Sequence, residues 1–251
     1  SSSLVGSEMC IRDSLLGACD GKKAAPYTEQ NTMLEGWRAV LKTPGGDLPC
    51  QFYWDKSHEN PAMVILNGDE NILVREITID GDSLFIRLPV FDSEIRVKTD
   101  GKTWNGYWHN YDKSPEYKIA IAAEFGPAHR FFPSAGHQTH DFSGKWEIDF
   151  VYEKDGQIDI SKALGLFKQN DDELEGTIMT ATGDYRFLAG NVRGDSMFLS
   201  CFDGSHAFLF KAKMNENGSL DGGFWSGIHW FESWTAHRNE NYTLPLSLIH
   251  I

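Results

Sequence analysis

From Gly36 onward the sequence is a succession of short runs in which Val, Ile, Phe, Tyr and Trp alternate with polar residues. GWRAVL, CQFYW, AMVIL, NILVREITI, SLFIRL, EIRVKT, TWNGYWHN and YKIAIAAEF follow one another, punctuated by turn signals such as DGD and TDG. A period of two predicts strands with one buried face, and tight turn dipeptides predict hairpins rather than long crossovers. The rhythm breaks at FGPAHRFFPSAGHQTHDFSG, where Pro, Gly and His displace the alternation and a linker is expected. It then restarts with GKWEIDFVY, ALGLFKQ, LEGTIMT, DYRFLAGNV, SMFLSCF, AFLFKAKM, LDGGFWSG and WFESWTAHR.

The two halves also match in order. Trp37 aligns with Trp146, Gly81-Asp82-Ser83 with Gly194-Asp195-Ser196, Phe91-Asp92-Ser93 with Phe202-Asp203-Gly204, and NGYW ending at Trp108 with GGFW ending at Trp225. Matches in one order with slowly drifting spacing are what a duplicated unit with loop insertions produces. An antiparallel meander of about eight strands loses its open edges by closing into a barrel whose interior is filled or holds one small ligand. The expected fold class is therefore all-β: two tandem antiparallel meanders, each a lipocalin-like barrel. The alternative is one β-sandwich sharing both halves. SGKW carries the G-x-W of the first strand of lipocalin-like barrels, in which an Arg packs over the Trp at one end. Arg186 is the candidate for that Arg, and Trp37, Trp146, Trp108 and Trp225 are candidate barrel-end or pocket residues.

The chain has 251 residues with 24 Gly and 13 % aromatics, a mix that favours strands and turns over long helices. Its net charge of −13 argues against nucleic-acid partners and against a polybasic membrane patch. No apolar run is long enough for a transmembrane helix. Of Cys10, Cys19, Cys50 and Cys201, none forms a C-x-x-C pair, and Cys50 and Cys201 lie in strand-like runs as small buried residues. His129, His137 and His140 fall in the linker, without the rigid element a metal site needs, so no metal and no cofactor is expected. His229 and Glu232 fall on opposite faces of a strand, which separates them as an acid–base pair. Asp203, Ser205 and His206 belong to a hairpin turn, where Asp and Ser satisfy backbone groups. No P-loop, dinucleotide fingerprint, G-x-S-x-G or H-E-x-x-H is present.

The termini read differently from the rest. EMCIRDS and LSLIHI can be encoded by DNA strings that are nearly reverse complements and that look like a transposon-end adapter. Residues 1–14 and 246–251 are therefore expected to be read-through scar, to be set aside from fold reasoning. Leu16-Gly17-Ala18-Cys19 resembles a bacterial lipobox, which would make Cys19 a lipid anchor, and 15–35 would comprise the signal remnant and a polar tether. The remaining divisions are a first β unit at 36–131, a linker at 132–141 and a second β unit at 142–245. The implied location is the periplasm or the outer membrane, with membrane contact only through the lipid.

The run GTIMTATGDYRFLAGNVRGDSMFLSCFDGSHAFLFKAKMNENGSLDGGFWSG, with GWRAVL and FSGKWE near the unit starts, resembles the β-rich region that precedes the thioredoxin domain in TlpA-like thiol–disulfide oxidoreductases of Gram-negative bacteria. That resemblance implies a non-catalytic accessory region of an anchored oxidoreductase, partnered by substrate proteins and by a thioredoxin domain lying beyond the chain. The family's W-C-x-x-C is absent, so no catalytic residue carries over onto this sequence. The competing expectation is a tandem lipocalin-like protein that binds a small ligand.

Overall fold

The computed structural model describes residues 34–55, 61–127, 129–134 and 136–244, and these are all strand, turn and loop. The first sheet contains β1 (Leu34–Thr43), β2 (Gly46–Asp55), β3 (Ala62–Asn67), β4 (Glu70–Val74), β5 (Glu76–Asp80), β6 (Ser83–Arg87), β7 (Ser93–Thr99), β8 (Thr103–Asn110) and β9 (Lys118–Phe125). Its order is β4-β3-β2-β1-β9-β8-β7-β6-β5, so the meander curls until first strand meets last. The two terminal strands of that order, β4 and β5, are separated in the chain by Arg75 alone. One bent run thus serves both margins, and the sheet is a barrel of eight runs with little edge left to protect.

The second sheet contains β10 (Gly144–Lys154), β11 (Gln157–Asn170), β12 (Glu173–Thr180), β13 (Gly183–Asp184), β14 (Leu188–Arg193), β15 (Ser196–Phe202), β16 (Ala207–Met214), β17 (Leu220–Ser226) and β18 (Trp230–Arg238). Here β11 pairs with β12 while β10 pairs with β18, which closes the ring by hydrogen bonds; β13 is a short appendix to β12. All the strand pairings are antiparallel. The fold is two closed or nearly closed antiparallel barrels, as the alternation predicts, and not a shared sandwich.

The repeated motifs occupy equivalent places, with one slip. Gly81-Asp82-Ser83 turns into the fifth run of the first barrel, and Gly194-Asp195-Ser196 into the fifth of the second. Both Phe-Asp turns connect the fifth and sixth runs. NGYW and GGFW, however, align one residue out of register. Trp108 points into its barrel with Trp104, whereas Trp225 alternates against the inward-facing Leu220 and Phe224 and lies on the outside. Gly106 and Gly222 are the true equivalents. A Cβ at Gly106 would sit 2.0 Å from the Arg96 carbonyl oxygen, and one at Gly222 2.5 Å from that of Lys211. Because side chains alternate, a slip of one residue exchanges inside for outside.

Each barrel is filled by its own inward residues. Trp37, Phe52, Trp54 and Trp104 pack at the far end of the first barrel, with ring centroids 4.8 to 5.9 Å apart. The second is packed with Trp146, Phe150, Phe210, Phe224 and Trp234, all buried. At its lower end Trp146 donates its indole N–H to the Phe142 carbonyl at 3.0 Å, and the Arg238 guanidinium lies 4.6 Å over the indole ring. The Arg expected over Trp146 is therefore Arg238, from the strand that closes the barrel. Arg186 is elsewhere, in the seam between the barrels.

At the seam between them the second barrel contributes to the core of the first. The outer face of β15 and β16 presents Phe202, Ala207 and Leu209, and all three belong to the buried cluster of the first barrel. Phe202 meets Trp108 edge-on at 5.2 Å and so closes the near mouth of the first barrel. Polar groups fix the contact. The Asn67 side-chain amide donates to the Phe202 carbonyl at 2.9 Å and its oxygen accepts the Phe202 N–H at 3.2 Å. Asn110 donates to the Ser205 carbonyl at 2.9 Å, and Ser93 donates to that of Gly204. Gly204 has φ +93, and a Cβ there would lie 3.0 Å from Leu88, so both backbone and space favour glycine. Arg130, fully buried, locks the side of the seam: Nε donates to Ser200 Oγ at 2.8 Å, Nη1 to the Leu66 carbonyl at 3.0 Å, and Nη2 to Asn67 Oδ1 and the Ser200 carbonyl.

Removing the Phe202 ring should leave a void at the mouth of the first barrel. Phe202→Ala is expected to lower unfolding stability by about 3–4 kcal/mol. It should also split a joint denaturant transition into two, since barrels that share a core unfold together. Parallel tryptophan-fluorescence and far-UV dichroism titrations check both outcomes.

Candidate functional site

A lipocalin-like carrier would need an open barrel interior. In the first barrel the space between Ala39, Cys50, Phe52, Met63, Ile65, Ile95, Trp104, Ile121 and Phe202 amounts to about 10 Å³. That is at most the room of one water and is wholly apolar in its lining. Rings fill the upper end of the second barrel: Tyr185 packs on Phe150, Phe208, Phe210 and Phe224 at 4.7 to 5.8 Å. Burial, then the nearby Glu232 carboxylate, pushes the Tyr185 hydroxyl up to about 12. Glu232 itself lies in the same mouth, and burial raises its carboxyl above the ordinary range.

A large opening lies outside both barrels. A cleft of about 920 Å³ runs from the β3–β4 turn, at Gly68 and Asp69, across the outer face of β11 and β12. Leu166 and Phe187 supply partly exposed apolar surface. Charges of both signs surround them: Lys145, Lys168 and Arg186 against Asp69, Glu175, Asp184 and Glu240. Its volume is that of ligand clefts in general. A smaller recess of about 470 Å³ lies between the linker and the second barrel, lined by His129, Arg130, Asp172, Glu173 and Glu175.

Arg186 joins the cleft to the seam. It sits at φ +59, a left-handed conformation that a residue with a long side chain adopts only when its surroundings hold it there. Its guanidinium pairs with Glu70 of the first barrel, and its Nε lies 3.2 Å from Asp203 Oδ2 in the second. Asp203 is the organising acid of the turn. Oδ1 accepts the N–H groups of Ser205 and His206 at 2.9 and 2.7 Å, and Oδ2 meets His206 Nδ1 at 3.0 Å. Burial of Asp203 opposes ionisation, but the hydrogen bonds and charge of His206 and the Ser205 N–H outweigh it, so the carboxyl stays below its ordinary range. The turn reading of Asp203 and Ser205 agrees with this geometry; His206, too, is held by the turn.

The other sequence candidates scatter. Trp37 and Trp146 are buried in the far end of one barrel and the lower end of the other, and Trp108 lies under Phe202. Trp225 packs between the barrels, where it leaves no room for a side chain at Gly45, and it also touches Phe231. His229 contacts Tyr117 at 3.1 Å, away from the Glu232 mouth. Among the described residues no group of three His, Cys, Asp or Glu is placed to hold a metal ion. Cys50 and Cys201 are buried free thiols; burial pushes Cys50 up to about 11 and Cys201 further still. The proposed anchor Cys19 and both terminal segments lie outside the described residues. The cleft was missed in the sequence because its walls come from surface faces of strands far apart in the chain.

No family model matches the chain, and no curated protein does. Among solved structures it is similar to HpuA from Kingella denitrificans, solved in complex with human haemoglobin, at 14 % identity over 89 % of this chain and 94 % of that one, TM-score 0.29. A protein of unknown function of the DUF3598 family from Nostoc punctiforme matches at 11 % identity over 82 % and 95 % of the two chains, TM-score 0.26. The vaccine antigen transferrin-binding protein B from Haemophilus parasuis matches at 8 % identity over 81 % and 68 %, TM-score 0.23. Likeness of this order sets no ligand or partner for this chain.

The expected kinship with TlpA-like oxidoreductases is corrected by these results. No family model supports it, and the solved structures found are of other proteins. The residues that carried the resemblance have structural uses: FDGSHAF is the turn that closes the first barrel, and GDYRF supplies Tyr185 and Arg186 to a mouth and a seam.

Two outcomes test the geometry. Despite its burial, the hydrogen bonds and charge of His206 and the Ser205 N–H hold the Asp203 carboxyl below its ordinary range in the folded protein. Its contribution is therefore complete above the unfolded carboxylate range and is lost as pH falls through the lower folded value. Stability measured by urea titration should fall on acidification below about pH 4, and Asp203→Asn should flatten that limb. At neutral pH Cys50 and Cys201 should resist alkylation in the native protein and label rapidly in denaturant, as peptide mass spectrometry will show.

Proposed function

We propose that this chain is a non-catalytic, extracytoplasmic binding protein that holds its ligand on its outer surface, in the cleft beside the seam. The carrying observation is the contrast between barrels filled with side chains and an open cleft of about 920 Å³ between them. The mixture of Leu166 and Phe187 with charges of both signs fits a segment of another protein better than a uniform anion or a hydrocarbon. Placement outside the cytoplasm rests on the lipobox-like residues before Cys19. The Arg186 pair fixes the β3–β4 turn against the second barrel, so the cleft is held by the same contact that joins the two halves. Preformed walls cost a ligand less ordering on binding.

A carrier of a small apolar molecule inside a barrel is the competing reading, and the packed interiors speak against it. Peptide display on the native protein should enrich a consensus sequence that is lost for Phe187→Glu, with an unchanged denaturation midpoint. Absence of enrichment, or enrichment indifferent to Phe187, would overturn the cleft. Saturable one-to-one uptake of a fluorescent fatty acid by the native protein would restore the carrier instead.

A further inference from the structure

The hairpin of β10 and β11 outgrows its barrel. Pairing of β10 with β18 ends at Val151, and pairing of β11 with β12 ends at Ala163. Beyond those points the hairpin continues to Lys154 and Gln157, with each strand paired only to the other. Residues Gln157–Lys162 are exposed on both faces. Among the described residues, the margin of β11 that would face a further strand has no strand beside it over this stretch. An isolated two-stranded ribbon is marginal in water. This one is braced at its base by Tyr152 stacked on Trp230, with centroids 4.2 Å apart and planes 15° apart.

The two faces of the free margin differ in chemistry. One carries Ile158 and Ile160, 66 % and 57 % exposed, beside Val151 of the paired strand. The other carries Asp159 opposite Tyr152, leading down to Trp230 and Glu232 at the barrel mouth. Glu153 and Asp155 add further negative charge near the tip. An exposed edge with apolar residues is a template for another strand, and native proteins usually block it with Lys, Pro or a bulge. Between Gln157 and Lys162 there is no Pro and the pairing with β10 runs without a bulge; the one Lys, Lys162 at the base, is ion-paired to Asp149 at 2.7 Å.

We propose that the Gln157–Lys162 margin of β11 receives an extended segment of a partner protein as an added antiparallel or parallel strand. Main-chain hydrogen bonds would supply affinity, and alternating side chains the selection. A strand laid along this margin sets every second side chain against Ile158 and Ile160 and the intervening ones against Asp159, with Glu232 and the Tyr152–Trp230 rings below. The fitting sequence therefore alternates apolar residues with Lys or Arg. The same carboxylates repel an anionic lipid surface, which sets a protein segment ahead of a membrane as the occupant.

A fluorescent decapeptide of alternating Val and Lys, offered to the full chain, tests the assignment by anisotropy. Three comparisons accompany it: the Val/Glu peptide, the Val/Lys peptide N-methylated along one edge, and vesicles of phosphatidylglycerol. Saturable binding that falls at least tenfold with the Val/Glu peptide, with N-methylation, and in Ile158→Lys/Ile160→Lys supports strand addition. Phe187→Glu should leave that affinity within twofold, which separates this surface from the cleft. Absence of binding, equal affinity for the N-methylated peptide, or indifference to the isoleucine changes would overturn it. Flotation of the protein with the vesicles, lost in the double variant, would overturn it in favour of membrane docking. If the double variant fails to fold, the N-methylated peptide still decides the matter on the native chain.

Discussion

The structure depends on one contact: the outer face of the second barrel closing the first. A barrel of eight runs needs both ends filled, and the first barrel supplies Trp37, Phe52, Trp54 and Trp104 at its far end only. At the near end its own Trp108 requires a lid, and Phe202 is that lid. Burying a hairpin turn inside such a contact is costly unless its backbone groups find partners. Asn67, Ser93 and Asn110 from the first barrel, and Asp203 from the turn itself, provide them. The apolar contribution and the polar satisfaction therefore come from opposite sides of one seam, and the first barrel is not complete without the second.

Arg130 shows how the seam tolerates charge. Its guanidinium is surrounded by neutral acceptors, two backbone carbonyls together with the Ser200 hydroxyl and the Asn67 amide oxygen. A buried cation in such company is held by the number and geometry of its hydrogen bonds, not by a single counter-charge. Arg186 follows the opposite rule, bridging acids from both barrels at the lip of the cleft. One arginine fastens the seam inside and the other braces its margin, where binding is proposed.

The alternation of apolar and polar residues made the strands and their antiparallel order legible, because period and turn chemistry are local properties. The G-x-W at Trp146 is likewise a local pattern, and Trp146 lies where its indole N–H reaches the Phe142 carbonyl. Its arginine was not legible: Arg186 stands beside an aromatic in the sequence, but Arg238 reaches Trp146 because β18 returns to pair with β10. The FDGSHA turn was readable as a turn and not as a lid, since nothing local records which surface it will meet. NGYW and GGFW matched as text while their tryptophans face opposite ways. A shared composition does not reveal a one-residue change of phase. The cleft escaped for a further reason, being made of residues whose outward-facing positions carry no pattern.

The lid also sets an order of events. Ser93 bonds a residue 111 positions later, and Asn67 one 135 positions later. Emerging N-terminus first, the chain presents every strand of the first barrel long before Phe202 exists. During that interval Trp108, Leu88 and their neighbours form an unsealed apolar ring, and slow closure of distant contacts prolongs it. The first half of the molecule thus keeps an open near end until the second half has been made and docks against it.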